Sequence, residues 1–183
     1  MKKVCPLALS CIIFLLSFSI FSAKIYAADN LSASSSSQQA SKINYELPYP
    51  GLLPDSYLYI FRVIRDRIVG FLISDPLKKS EFDLLQSDKR LNAGIMLLNK
   101  GKTSLSLETI SKAGNYFDEA LVEAGKAKKQ GMNVTEMMGK LRNALVKHEQ
   151  ELRDLTQKVS ANFKQSFEKE RERAVGFQER LNQ

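Results

Sequence analysis

From Tyr57 onward the chain places apolar residues at steps of three and four. Tyr57, Phe61, Ile64, Ile68 and Phe71 or Leu72 share one face of a first helix, and Leu58, Ile60 and Val63 widen it. So broad a stripe predicts a core helix covered on more than one side. A second helix runs to about Lys100 with Leu77, Leu84, Leu91, Ile95 and Leu98 on one face. A third, about 104–130, presents Leu107, Ile110, Ala113, Phe117, Leu121 and Ala124. From Thr135 the seam is Met138, Leu141, Leu145, His148, Leu152, Leu155 and Val159. It then steps to Phe163 and Phe167 before Ala174, Phe177 and Leu181. Two four-residue steps in succession read as a stutter in a long helix. No run alternates β-branched residues, so the fold class is all-α. The expected architecture is a small antiparallel helical bundle of about four helices with a long C-terminal helix.

Punctuation agrees with this division. Three prolines in 46–54 push Leu47, Tyr49 and Leu53 toward extended geometry. Gly51 suits a turn, and Asp55 or Ser56 is placed to cap the first helix. Asp75 caps the second, with Pro76 in the first helical position, where a missing N–H costs nothing. Gly101 and Gly131 end the second and third helices. Asn133 and Glu136 have the spacing of a capping box for the fourth. An unbroken helix over 135–183 would be roughly 70 Å long against roughly 37 Å for the second helix. Its end would outrun its neighbours. The strip Phe163, Phe167, Phe177, Leu181 therefore either folds back onto the first helix after a break near Ser160–Asn162 or meets another molecule. This strip is the candidate interaction surface.

The N-terminus changes the picture of where the domain works. Lys2 and Lys3 precede an apolar run from Val4 to about Ile20, followed by small residues near Ala27 and Ala28. This reads as a secretory signal peptide over 1–27. Ile25 or Tyr26 at the third position before the cut is unusual, and an uncleaved anchor is the rival reading. Cys5 and Cys11 both lie in this segment, and Cys11 comes too early to end a lipoprotein signal. Residues 28–44, with "DNLSASSSSQQASK" at 29–42, form a Ser-rich flexible spacer. The domain core spans 45–134 and the C-terminal helix 135–183. Formal charge is +7, and Lys2, Lys3 and Lys24 would leave with the signal. The remaining basic residues are mixed with acids, which disfavours nucleic acid. The expected location is extracytoplasmic, secreted or associated with the cell envelope. The membrane would be touched only through an uncleaved N-terminal segment.

Candidate chemistry is sparse. His148 is the one histidine. It lies on an apolar seam, where a hydrogen bond to a neighbour is the expectation and a metal site is not. Asp118-Glu119 and Glu168, Glu170, Glu172 sit among basic residues as solvated helix pairs. Gly94, Gly101, Gly114, Gly125 and Gly131 are isolated, which suits close helix contacts or C-caps and not a phosphate cradle. "RVIRDRIVGF" has the composition of a membrane-surface helix. However, Arg62, Arg65 and Arg67 form no single polar face and Asp66 dilutes them, so a core helix is expected.

Pro54, Ser56, Leu58, Tyr59 and Arg62, then Asp75-Pro76, "DKRLNAG" and Gly101, resemble a bacterial family of domains of unknown function, DUF5667, over about 50–130. The resemblance implies an exported or membrane-anchored helical domain and carries over no activity or catalytic residue. The expectation is a non-catalytic protein-interaction or structural module without cofactors, bound to a protein partner or to itself through the C-terminal helix. A small-ligand or membrane-surface binder is the alternative, and an enzyme the remoter one.

Overall fold

A computed structural model describes residues 45–182. The expected signal peptide and the whole spacer, 28–44, lie outside the described residues. Five helices follow the Pro-rich strap at 45–58: α1 (Tyr59–Leu72), α2 (Pro76–Asn99), α3 (Thr103–Lys129), α4 (Thr135–Lys158) and α5 (Ala161–Leu181). There is no strand among the described residues. The chain is an all-α bundle. Residues 40–183 form one compact unit with its own core, drawn from α2, α3, α4 and α5 around Phe117, Leu141, Leu145, Phe167 and Leu181.

Local chemistry accounts for the helix ends. The Asp75 carboxylate accepts from the backbone N–H of Leu77 at 2.8 Å and of Lys78 at 3.0 Å, with Pro76 just inside α2. At the other end Gly101 takes φ 75°, and Gly131 after α3 takes φ 78°. In each turn two hydrogen bonds close back on the helix: Gly101 N to Leu98 O with Lys102 N to Leu97 O, and Gly131 N to Lys128 O with Met132 N to Ala127 O. These close the helix C-termini through a left-handed glycine. Two caps differ from expectation. Neither Asp55 nor Ser56 caps α1, whose N-terminal flanking residue is Leu58 with no side-chain cap: Asp55 binds Lys100 and Lys102 at 3.1 and 3.0 Å, and Ser56 Oγ accepts from Leu58 N at a long 3.4 Å. Asn133 accepts from Thr135 N, but Glu136 pairs with Lys140, so the capping box is only half made.

The α2/α3 hairpin is joined by small residues. Ser80, Ser87 and Gly94 recur every seven positions on α2, facing Ala120, Ala113 and Ser106 on α3. The hydroxyls of Ser80 and Ser87 donate to Ala120 O and Ala113 O, and Ser106 donates back to Gly94 O. With no bulk between them the backbones come close enough for three buried side chain-to-carbonyl bonds. Gly94 is where this approach is tightest, since an added Cβ would lie 2.4 Å from Ile110 Cγ1. Gly94→Ala is therefore expected to cost about 1–3 kcal/mol through overpacking, against the gain an exposed helix would show. Urea denaturation measures it. Pairing the change with Ile110→Ala should give a combined loss smaller than the sum, and strict additivity would count against the collision.

The C-terminal region departs from a single long rod. Val159 and Ser160 are both extended, at ψ 153° and 158°, and α5 reverses direction there. Fold-back is thus the course taken, but onto α4 and α3, not onto the first helix. Contacts fix the arrangement. Arg173 to Ser111 O and Arg180 to Asp118 have the same sequence offset of 62, so α5 runs parallel to α3. Lys140–Glu81 and His148–Asp88 are offset by 59 and 60, so α4 runs parallel to α2. The bundle is two antiparallel hairpins, laid side by side in the same direction.

Candidate interaction face

The four residues expected to form an interaction surface are part of the core. Phe167, Phe177 and Leu181 are buried, and Phe163 is half-buried against the same cluster. Phe177 stacks on Phe117 with ring centroids 5.2 Å apart. The break at Val159–Ser160 is the physical reason: it turns the strip inward, so self-association through this face would require α5 to leave the bundle.

His148 sits where a seam residue was expected and has a partner that no local pattern announces. The strap runs along α2, and the Tyr45 hydroxyl donates to Asp88 Oδ2 at 2.5 Å. His148 Nε2 lies 2.7 Å from Asp88 Oδ1. Asp88 thus stands between the Tyr45 hydroxyl, which donates to it, and the His148 imidazole. Burial and then the adjacent Asp88 carboxylate push the Tyr45 phenol pKa far up, so the proton stays on oxygen. Asn92 holds the strap further along through Pro48 O at 3.0 Å. Tyr45–Asp88–His148 has the look of a proton relay, yet the cavity beside His148 measures about 20 Å³. That is space for a single water. The Phe117 ring, 5.3 Å from the imidazole, closes another side. The arrangement clamps the strap to the bundle and leaves no room for a substrate.

A second buried acid, Asp83, accepts from Lys79 at 3.0 Å while its Oδ2 has no partner. Desolvation raises its pKa despite the lysine, with Glu119 and Glu123 adding to the rise. Among the described residues no group of three His, Cys, Asp or Glu converges to hold a metal.

The most exposed apolar surface belongs to α1, which corrects the expectation of a core helix. Tyr57 is 100 % exposed, Phe61 67 % and Phe71 86 %, and Ile60, Ile64, Ile68 and Leu72 are exposed with them. The side turned to the bundle carries Tyr59, Arg62, Val63, Asp66 and Gly70. Asp66 is buried, and Arg62 and Arg65 both reach it within α1. Arg62 also donates to Leu52 O at 2.7 Å, tying α1 to the strap. Gly70 sits over Phe82 and Lys79 of α2, where a Cβ would come within 3.0 Å of the ring. Polar and small residues seat the helix, and the apolar stripe is left facing out. Arg65 and Arg67 flank that stripe on opposite sides of the helix, and Asp66, the one acid in α1, is turned away from it. The Phe- and Ile-bearing face is the candidate site. Tyr49 extends the exposed surface along the strap, whereas Tyr45 packs down.

Among the described residues no helix is long and apolar enough to cross a membrane. The family model described as Domain of unknown function (DUF5667) matches residues 51–162. No curated protein matches the chain, and no solved structure does.

Proposed function

We propose, from the premise that this chain belongs to the DUF5667 family of domains of unknown function, that it is a non-catalytic structural module of the cell envelope. Its bundle is a platform, and its working element is the outward face of α1. The observation that carries this reading is the inverted seating of α1. A soluble domain gains by burying Phe61, Ile64, Ile68 and Phe71, each worth about 1.5–3 kcal/mol when fully covered, yet all four are exposed. An exposed contiguous apolar patch of this kind marks a surface that meets something else. The N-terminal Lys2-Lys3 and the apolar run from Val4 support an envelope location.

Cysteine scanning in cells tests this. Cys5 and Cys11 are the chain's own cysteines, so single Phe61→Cys, Phe71→Cys, Val146→Cys and Val175→Cys chains with both replaced by serine each report one site. In intact bacteria a membrane-impermeant maleimide is expected to label the bundle positions 146 and 175 readily, and positions 61 and 71 at least roughly tenfold more slowly. In the purified domain all four should react alike. Equal labelling in cells would end the docking reading, and no labelling at 146 and 175 before lysis would end the envelope location.

A further inference from the structure

We infer that the outward face of α1 lies in the interface of an anionic lipid bilayer, with its apolar side chains at the acyl boundary and Arg67 at the headgroup phosphates. This rests on the reading of α1 as a docking element and names what it docks on. Three observations favour a bilayer over the other occupants.

The first is charge. Arg65 and Arg67 lie at opposite edges of the stripe; Arg65 turns back to the buried Asp66 at 2.7 Å, and Arg67 makes no ion pair among the described residues. With Arg62, Arg65 and Arg67 against Asp66 alone, α1 is net positive, and its outward half exposes no acid. Two copies paired through this face would bring two net-positive helices together, whereas an anionic surface neutralises them. Arginine stems also reach outward from a buried stripe to a charged interface without strain.

The second is composition and form. Phe61, Phe71, Ile60, Ile64, Ile68 and Leu72 make one stripe along a 14-residue helix, with the fully exposed Tyr57 just before it. A short helix with an aromatic-aliphatic face and basic flanks lies in the plane of a bilayer. Aromatic side chains with a polar tip favour the same depth. The structure presents the stripe along the outside of the helix, with α1 held on the bundle by its opposite side.

The third is chain connectivity. The apolar run from Val4 to about Ile20 precedes the strap at Tyr45 by 24 residues of chain. Where that run stays uncleaved in a bilayer, a weak interfacial affinity of α1 is multiplied by the covalent link.

The experiment uses the domain over residues 40–183, which forms a compact unit with its own core. It is floated with vesicles of phosphatidylcholine alone and of phosphatidylcholine with about one third phosphatidylglycerol. The domain is expected to float with the anionic vesicles and to be released by salt. Arg67→Gln should weaken anionic binding roughly fivefold and leave neutral binding unchanged. Phe61→Ser with Ile64→Ser and Phe71→Ser should weaken binding roughly a hundredfold or more. All three positions point outward, so circular dichroism and melting should be those of the unchanged domain. Equal flotation of the triple variant would overturn the inference. So would a domain that ignores anionic vesicles, or a dimer in light scattering that the triple variant abolishes. If the full chain shields positions 61 and 71 from maleimide in detergent, its own N-terminal run is the occupant and the inference falls. Protection of positions 61 and 71 in cells with no vesicle binding would refute the bilayer as partner and leave α1 as a docking element on a protein.

Discussion

Phe117→Ala is expected to lower the stability of the bundle by about 4 kcal/mol, a large share of what a domain of this size possesses. The side chain is fully buried. Its ring stands 5.2 Å from that of Phe177 on α5 and 5.3 Å from that of His148 on α4. It therefore joins the first hairpin to both helices of the second. Truncation leaves a cavity that the neighbours cannot collapse into, because α3 is held to α2 by the serine–carbonyl bonds and cannot shift. Urea denaturation followed by circular dichroism gives the number. Phe71→Ala, removing an equal volume from the exposed face, should change stability by less than about 0.5 kcal/mol. A loss under about 2 kcal/mol at Phe117, or equal losses at both sites, would contradict the arrangement of the core.

Asp88→Ala is expected to cost about 3 kcal/mol. The change leaves the Tyr45 hydroxyl and His148 Nε2 without their acceptor in a buried site, and each stranded polar group costs about 1–3 kcal/mol. Tyr45→Phe removes one donor and leaves the Asp88–His148 bond, so about 1 kcal/mol is expected. In the double variant no hydroxyl remains to be stranded, and its loss should fall short of the sum. The two changes should also free the strap. Limited proteolysis near residues 45–50 is expected to quicken in both, with the bundle remaining resistant. A strap as resistant as before in Asp88→Ala would mean that Pro48 O and Asn92 hold it without the acid.

Much of the fold was legible in the sequence because its helix ends use local chemistry. Asp75-Pro76, Gly101 and Gly131 each determine their own backbone geometry, so all three boundaries follow from the residues that make them. The seams of α2, α3 and α4 were legible for the same reason: periodicity states which residues share a face. Periodicity does not state which way that face turns, and α1 shows the difference. Its stripe was identified, but its direction depends on Gly70, Asp66 and Arg62 seating on α2 and the strap, which no pattern of apolar residues encodes. The stutter at Val159, Phe163 and Phe167 was also a true signal with another meaning. A seam that changes phase can mark a new helix with its own face, and no glycine or proline was needed to make the break. Tyr45 and His148 meet at Asp88 across 43 and 60 positions, and a lone acid in a charged helix carries no mark of that. The small residues of α2 and α3 were visible at every seventh position. Gly94 reads as a close helix contact and is one, whereas Ser80, Ser87 and Ser106 look like ordinary surface serines, and nothing local marks their buried bonds.

That sevenfold spacing has a consequence for how the hairpin finds its alignment. Shifted by one heptad, Ser80 would face Ala127, Ser87 would face Ala120 and Gly94 would face Ala113. The small residues alone would accept this pairing as readily as the native one, so they permit close approach without choosing its register. The choice falls to the turn. The closed loop at Lys100–Lys102, with left-handed Gly101 bonded back to Leu98, leaves α3 one starting point, whereas the shifted alignment would need several more residues of loop. Asp55 reinforces it by holding both flanking lysines, so the strap reports, and favours, a correctly aligned hairpin. A chain with a loosened turn would have two nearly equal ways to zip, and the misaligned one is a kinetic trap of its own making.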